Sequence, residues 1–526
     1  AKLNAAASLW RLVHENPTDQ AVVARSGPTS DLISLLKNGT EEAHAYALWS
    51  LSLCITEGNQ KTVLEDEGVD PLVSCLSSTK SITRQQAAAA LARLALRNTK
   101  AQEAIAAKGG IKPLIAIIKS THGDEPFVSL TIPGIVKEQA ITAKEHAAAA
   151  LAQLACVAKN RDSIVDGDGI EPLVMLLNST DPMTQKFAAA ALARLATAIG
   201  DKDPFAKVNA RTIAKAGAIP SLVTLLEGLS GDAAQEESAG ALFALADDDG
   251  NRTSITEAGG IGPLVMMLGS KNLQARRHAE AALVRLSIEA ANRVIIIEKL
   301  VGMLKVKSVD KADNRQEQAA AALANLASDS AENRNSIVDA GGIEPLLALL
   351  ESPSSKAKEN SVKAIAKLAY KSKDIQTAIQ KAGGVPLIAN VLLSCSANVK
   401  EMMQAATLCA LAANAVSQLS EGNKEIALAL AEAGAVQPLV LMLGSSSVEL
   451  QSEAAGAIAQ LSLNSPENQA AIARTGAITP LTALVREGTA EVKEQSASAL
   501  WALSYENSGN KATIAKLGGI EPLVIL

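Results

Sequence analysis

GGIKPL, residues 109–114, is the stretch whose reading decides the fold, because the chain repeats it. GGIGPLV begins at Gly259, GGIEPLL at Gly341 and GGIEPLV at Gly518, and looser copies begin at Gly68, Gly217, Gly383, Gly434 and Gly476. An Ala-rich segment goes with the repeated phrase, as in AAAALARLA from Ala87 to Ala95. A repeat of this period marks a solenoid, whose working surface is a long face rather than one pocket. The leucine of the Pro-Leu step falls at Leu32, Leu72, Leu114, Leu173, Leu222, Leu264, Leu300, Leu346, Leu387, Leu439, Leu481 and Leu523, most often 41 or 42 residues apart. A second anchor in the Ala-rich segment runs through Leu9, Leu48, Leu91, Leu151, Leu192, Leu242, Leu283, Leu323, Ile365, Leu408, Ile458 and Leu500. The two series interleave as eleven complete pairs.

Residues 98–154 show how one unit is built. Asn98 to Ala107 read as a short helix that Gly109-Gly110 break, since glycine accepts the positive φ of a helix end. Pro113 suits the first turn of the next helix, where its missing N–H would be unsatisfied anyway. That helix runs from Pro113 to Ile118, and a long Ala-rich helix spans His146 to Ala155. In the second unit Ala87, Leu91 and Leu94 fall on one stripe at 100° per residue, while Gln85, Ala89, Ala92, Arg93 and Leu96 point elsewhere. Alternation is absent and Ala dominates, so strands are excluded.

Composition agrees. Of 526 residues 48% are hydrophobic and only 2% aromatic, which calls for a core of Leu, Ile, Val and Ala. The net charge of −6 argues against a nucleic-acid partner. Cys54, Cys75, Cys156, Cys395 and Cys409 show neither pairing nor metal-like spacing, which points to a reducing compartment, the cytoplasm or the nucleus. No apolar run is long enough for a membrane span, and no secretory signal is present. His44, His146 and His278 sit near the starts of long helices in units that are not adjacent, so they share no metal. The glycine pairs do not follow strands, which removes a nucleotide loop. No catalytic residues, cofactor or metal are expected.

The two-part motif resembles the armadillo-repeat family over nearly the whole chain. ALWALSYENSGNKATIAKLGGIEPLVIL, Ala499 to Leu526, follows the family pattern almost throughout. HEAT repeats lack this recurrent hinge. The resemblance implies an all-α, right-handed superhelix of three-helix units, about eleven complete with partial units at both ends, forming one solenoid over residues 1–526. Third helices would line a concave groove for extended partner segments, over a length of roughly 100 Å.

In that family one third-helix position carries an Asn that holds the partner's backbone. Two residues after the helix anchor, the corresponding positions are Arg11, Ser50, Arg93, Gln153, Arg194, Ala244, Arg285, Asn325, Lys367, Ala410, Gln460 and Ala502. Five of these twelve are basic and none is acidic, although acidic residues outnumber basic ones 55 to 49 in the chain. The groove reading assigns Arg93, Gln153, Arg194, Arg285, Asn325, Lys367 and Gln460 to partner binding, with Trp49 and Trp501 beside the ladder. Arginine offers a planar fork to carboxylates, phosphates or peptide carbonyls, so the expected partner is an acidic or carbonyl-rich extended protein segment. The competing reading is pairing between neighbouring units. Glu145, Lys186, Glu236, Arg277 and Glu317 alternate in sign two turns earlier, and that row reads as structural pairing. Ala89, Ala149, Ala190, Gly240, Ala281 and Ala321 stand where importin-α-like receptors carry Trp. The likeness is therefore to scaffold and adaptor types, β-catenin-like or vacuolar-adaptor-like.

Four departures break the period. Residues 120–141 contain PFVSLTIPGIV with Phe127, read either as a docking loop or as a loop packed on its own repeat. Residues 197–209 carry Phe205 and read as a surface loop. Residues 410–430 read as an extension after Leu408. The seventh unit, from Val294, lacks Gly-Gly and Pro and reads as a bent or tilted helix pair. Ala1 to Val13 and the terminal EPLVIL are apolar helical segments without caps. They suggest a piece of a longer protein, with end-to-end self-association or a neighbouring chain covering the ends. The function is a non-enzymatic scaffold. The alternative is a structural subunit of a cytoskeletal or axonemal assembly that uses its outer surface and ends.

Overall fold

The computed structural model describes residues 29–120, 143–198, 204–228, 231–306, 314–396 and 399–526, with Ala5 and Ser8. Phe127 and its segment, and the N-terminal Ala1 to Val13 segment apart from Ala5 and Ser8, lie outside the described residues. The described chain is almost wholly helical and contains no strand. The repeated unit has three helices. In one unit they are Ala158–Asp166, Ile170–Leu176 and Pro182–Ala196, and in another Ala331–Asp339, Ile343–Leu349 and Ser355–Ala369.

The glycine pair sets the hinge between first and second helices. Gly109 has φ +79, the left-handed region. Gly110 has ordinary φ, but a Cβ there would lie 2.8 Å from Ile105 Cγ2 and 3.0 Å from Ile105 O. The first glycine is needed for its backbone, the second for its missing side chain. The next helix is Ile111–Lys119, so Pro113 lies inside its first turn, and Ile111, Leu114, Ile115, Ile117 and Ile118 are buried. Between Lys424–Glu432 and Val436–Leu443 a related hinge, Gly434-Ala435, turns the chain by 83°; Gly434 has φ +92, and alanine takes the second position there.

Third helices are buried more broadly than one stripe predicts. In Ser81–Ala95 the buried set is Thr83, Gln86, Ala87 to Leu91, Leu94 and Ala95, so Ala89 joins the core. The reason is packing on several sides: within each compact unit an interior third helix lies on its own second helix and between the third helices of both neighbours. Alanine permits that close approach.

The chain divides into two compact units, residues 1–288 and 289–526. In the first, third helices Glu41–Cys54, Ser81–Ala95, Ala143–Leu154, Pro182–Ala196, Asp232–Leu245 and Leu273–Leu286 pack in series. In the second, Arg315–Asp329, Ser355–Ala369, Ala406–Ser420, Val448–Ser462 and Ala490–Ser504 do the same.

In several units a buried asparagine fastens the first helix to the third helix before it. Nδ2 of Asn160 donates to Leu154 O at 3.1 Å, Asn251 to Leu245 O at 3.1 Å, Asn333 to Leu326 O at 2.9 Å, Asn468 to Leu461 O at 2.9 Å and Asn510 to Leu503 O at 2.8 Å. Each carbonyl lies in the last turn of its helix, where no intrahelical partner exists, and the amide satisfies it. The staple was visible in the sequence as the recurring Asn of AKNRDSI, DGNRTSI, AENRNSI, PENQAAI and SGNKATI.

Three expectations are corrected. The extension near residues 410–430 is not there: Ala406–Ser420 has 15 residues, as do Ser355–Ala369 and Val448–Ser462, and Lys424–Glu432 is an ordinary first helix. The extra chain lies earlier, where Gly384–Cys395 has 12 residues and the short helix Val399–Gln404 follows it. The anchor of this unit is therefore Val416, in AVSQLS, and its ladder residue is Gln418 rather than Ala410; Leu408 occurs in a similar Ala-rich context eight residues too soon. The seventh unit is not a helix pair. Ala290–Lys305 is one continuous helix of 16 residues, because no glycine pair or proline interrupts it. Phe205 does not sit in a loop: helix Pro204–Lys215 includes it, 55% exposed.

Candidate partner-binding face

In residues 1–288 the ladder arginines share one pose. Arg93 Nη1 donates to Leu53 O at 3.1 Å, Arg194 Nη1 to Ala152 O at 2.9 Å and Arg285 Nη1 to Phe243 O at 2.9 Å. Each acceptor lies in the last turn of the preceding third helix, where a cation also meets the negative end of the helix dipole. The pairing between units is thus side chain to backbone. The residue types at neighbouring ladder positions do not reveal it, because a carbonyl carries no sequence signal.

Arg285 is held most firmly. Its guanidinium lies 3.9 Å from the centroid of the Phe243 ring, and Nη2 is 3.7 Å from an Asp247 carboxylate oxygen. The ring contact is a cation–π stack; the carboxylate is beyond hydrogen-bond distance. Arg93 is exposed, while Arg194, Arg285 and Gln153 are half-buried. Trp49 is half-buried.

The surroundings are electrically uneven. Burial pushes the Glu237 carboxyl above its ordinary range, while Arg194 pulls it down. Glu145, buried and facing Asp181, is pushed up to about 7, with Lys186 opposing. His146 is pushed down to about 4, first by burial and then by Arg93, so it is neutral at pH 7. Burial pushes the Cys54 thiol beside Arg93 up to about 11, so it is not a thiolate nucleophile. Cys54, Cys75 and Cys156 are free thiols. Among the described residues no three His, Cys, Asp or Glu side chains form a group that could hold a metal.

The row two turns earlier makes contacts of its own. Glu236 accepts from Asn272 Nδ2 at 2.7 Å and Glu317 from Ser354 Oγ at 2.5 Å, and both donors are N-cap residues of the next third helix. Asp181 is the corresponding N-cap opposite Glu145, and its charge adds to burial in raising that carboxyl.

In residues 289–526 the ladder has a different character. Asn325 and Lys367 are exposed, and Gln418 and Gln460 are half-buried. Gln418 Oε1 is buried without a hydrogen-bond partner. Glu453 accepts from Asn414 Nδ2 at 2.9 Å, and its carboxyl is raised by burial and by Glu449 and Glu491. Trp501 is 58% exposed and meets the exposed Tyr505 at 5.8 Å between ring centroids, tilted by 54°.

Known proteins carry this architecture. The family model described as the armadillo/beta-catenin-like repeat matches residues 56–96, 158–197, 330–370 and 423–463. Each match ends one residue beyond a third helix, at Ala95, Ala196, Ala369 and Ser462. An engineered protein solved by crystallography is similar over 91% of this chain and 99% of its own, with 28% identity and TM-score 0.56. A designed armadillo repeat protein aligns over 49% of this chain and 99% of its own, with 22% identity and TM-score 0.41. Protein CELLULOSE SYNTHASE INTERACTIVE 3 of Arabidopsis thaliana is 27% identical over 222 residues, 40% of this chain and 10% of that protein. The chain thus spans about a tenth of the length of that curated relative. Among the described residues no single helix is long and apolar enough to cross a membrane.

Proposed function

We propose that this chain, four segments of which match the armadillo/beta-catenin-like repeat, is a non-enzymatic scaffold. Its third-helix face in residues 1–288 holds an extended, acidic segment of a partner protein. The observation that carries this reading is the common pose of Arg93, Arg194 and Arg285. One nitrogen of each fork is tied to a backbone carbonyl, which fixes the guanidinium in place; at Arg285 the second nitrogen also faces the Asp247 carboxylate, which a ligand carboxylate would share or displace. Pre-ordered donors lose less side-chain entropy on binding than free ones. Arg285, stacked on Phe243, is the most ordered of the three. The Arabidopsis relative is named for an interaction with cellulose synthase, which supports an adaptor role without supplying the partner. The spacing of the cysteines, with neither pairing nor metal-like pattern, supports a reducing compartment, the cytoplasm or the nucleus.

Replacing Arg93, Arg194 and Arg285 together by Glu tests the reading. Binding of a Glu- and Asp-rich extended peptide, followed by fluorescence anisotropy, should be abolished while helicity by circular dichroism is kept. Unchanged binding in the folded variant would reject the arginine face as the site and favour a structural role through the outer surface.

A further inference from the structure

Within residues 1–288 the described ladder positions are Ser50, Arg93, Gln153, Arg194, Ala244 and Arg285, so a basic residue stands at every second unit. The three guanidiniums at that period share the same anchor, a carbonyl in the last turn of the third helix before. The alternation in sequence sets the period and the shared anchor fixes each guanidinium, with Arg285 also facing the Asp247 carboxylate at 3.7 Å. Gln153 and Ala244 between them offer an amide and a methyl, with no charge.

We propose that this face recognises acidic side chains by their spacing: the partner is an extended peptide whose Asp or Glu residues recur every four to six positions, three times in register. This rests on the proposed acidic-segment function and sharpens it. Neighbouring packed helices lie roughly 8–10 Å apart, so cations two units apart are separated by roughly 16–20 Å, less if the face curves inward. An extended chain advances about 3.3 Å per residue, which places matching carboxylates roughly four to six residues apart. A helical partner advances about 1.5 Å per residue and would need a spacing of roughly eleven to thirteen. A partner with clustered acids would satisfy one arginine and leave the other two with solvent.

The test is a series of peptides in a neutral Gly/Ser/Ala background, each with three Glu at a spacing of roughly three, five, eight or eleven residues. Binding to the full chain is read by fluorescence anisotropy at low salt and again at physiological salt. Affinity should peak at the spacing near five and fall by roughly ten-fold on either side, as two of three charge-assisted contacts are lost. Arg194→Gln should lower affinity for the five-spaced peptide and leave the mismatched peptides nearly unchanged. Arg194→Lys, which keeps charge without the fork, should fall between. Equal affinity at every spacing would overturn the periodic reading while leaving acidic-segment binding intact. An optimum near eleven would overturn it in favour of a helical partner. A single-stranded oligonucleotide that binds better than the best peptide would overturn it in favour of phosphate recognition. Binding of none of the acidic peptides would overturn the proposed function as well. The peptide series needs no protein variant, so a folding defect cannot mask the result.

Discussion

Asn468 offers the sharpest test of how one unit is held to the next. It is 3% exposed, and its Nδ2 donates to Leu461 O at 2.9 Å and to Ala427 O at 3.0 Å. The first acceptor ends the third helix Val448–Ser462, and the second lies in the first helix of the unit before. Asn468→Ala removes both donors and leaves the Leu461 carbonyl buried with no partner. A buried hydrogen bond contributes about 1 kcal/mol, and stranding a buried acceptor costs about 1–3 kcal/mol, so the loss should be about 2–3 kcal/mol. Repeat arrays distribute stability through neighbour interfaces, so the loss should be regional. The assay is native-state hydrogen exchange on Lys424–Glu432, Val448–Ser462 and Pro466–Arg474. Amides there that open through regional unfolding should exchange roughly 30–150-fold faster at 25 °C, while residues 29–120 keep their protection. Asn468→Asp should be worse at neutral pH, because it sets a carboxylate against two carbonyls, and should recover partly in acid as the carboxyl gains a proton. A loss below about 0.5 kcal/mol with unchanged exchange would refute the view that the amide joins the units. The result bears on function because Gln460 precedes Leu461 on the helix end that the amide holds.

Glu145 predicts a pH dependence. Its folded pKa, about 7, stands above the ordinary carboxylate value, first through burial and then through Asp181. The native state therefore binds more protons than the unfolded chain between about pH 4.5 and 7, and stability falls as pH rises through that window. Glu145→Gln should remove this slope and stabilise the chain at pH 8 by no more than about 3 kcal/mol; identical melting curves for both proteins at pH 5 and pH 8 would contradict it. Gly110→Ala should cost about 1–3 kcal/mol, since its methyl would press on Ile105, and Gly109→Ala about 1–2 kcal/mol through its left-handed backbone, both measurable by urea denaturation. Arg285→Lys should weaken binding of the acidic peptide nearly as much as Arg285→Ala, because an ammonium cannot keep the flat stack on Phe243 and the carbonyl bond together; full rescue by lysine would count against the fixed fork.

The architecture was legible in the chain itself. The recurrence of GGIxPL with an Ala-rich segment fixes units, their helices and the hinge, because glycine and proline act locally through backbone geometry. The ladder register follows wherever the anchor is unambiguous, as at Leu91 or Leu500. It failed at Leu408 because two Ala-rich turns lie close together, and only the helix limits of Ala406–Ser420 select Val416. The seventh unit failed for a related reason: the missing hinge was seen, but its consequence, one unbroken helix, depends on packing. What the tertiary structure alone decided is where polar groups find partners. Arg93, Arg194 and Arg285 meet backbone carbonyls some 40 residues away, Glu236 and Glu317 reach the caps of the next unit, and Trp501 stays exposed where Trp49 is half-buried. Carbonyls are identical along the chain, so no residue letter marks the ones that end up beside an arginine. Their placement follows from the stacking of helices, which is why the ladder register could be read from sequence while its bonding could not.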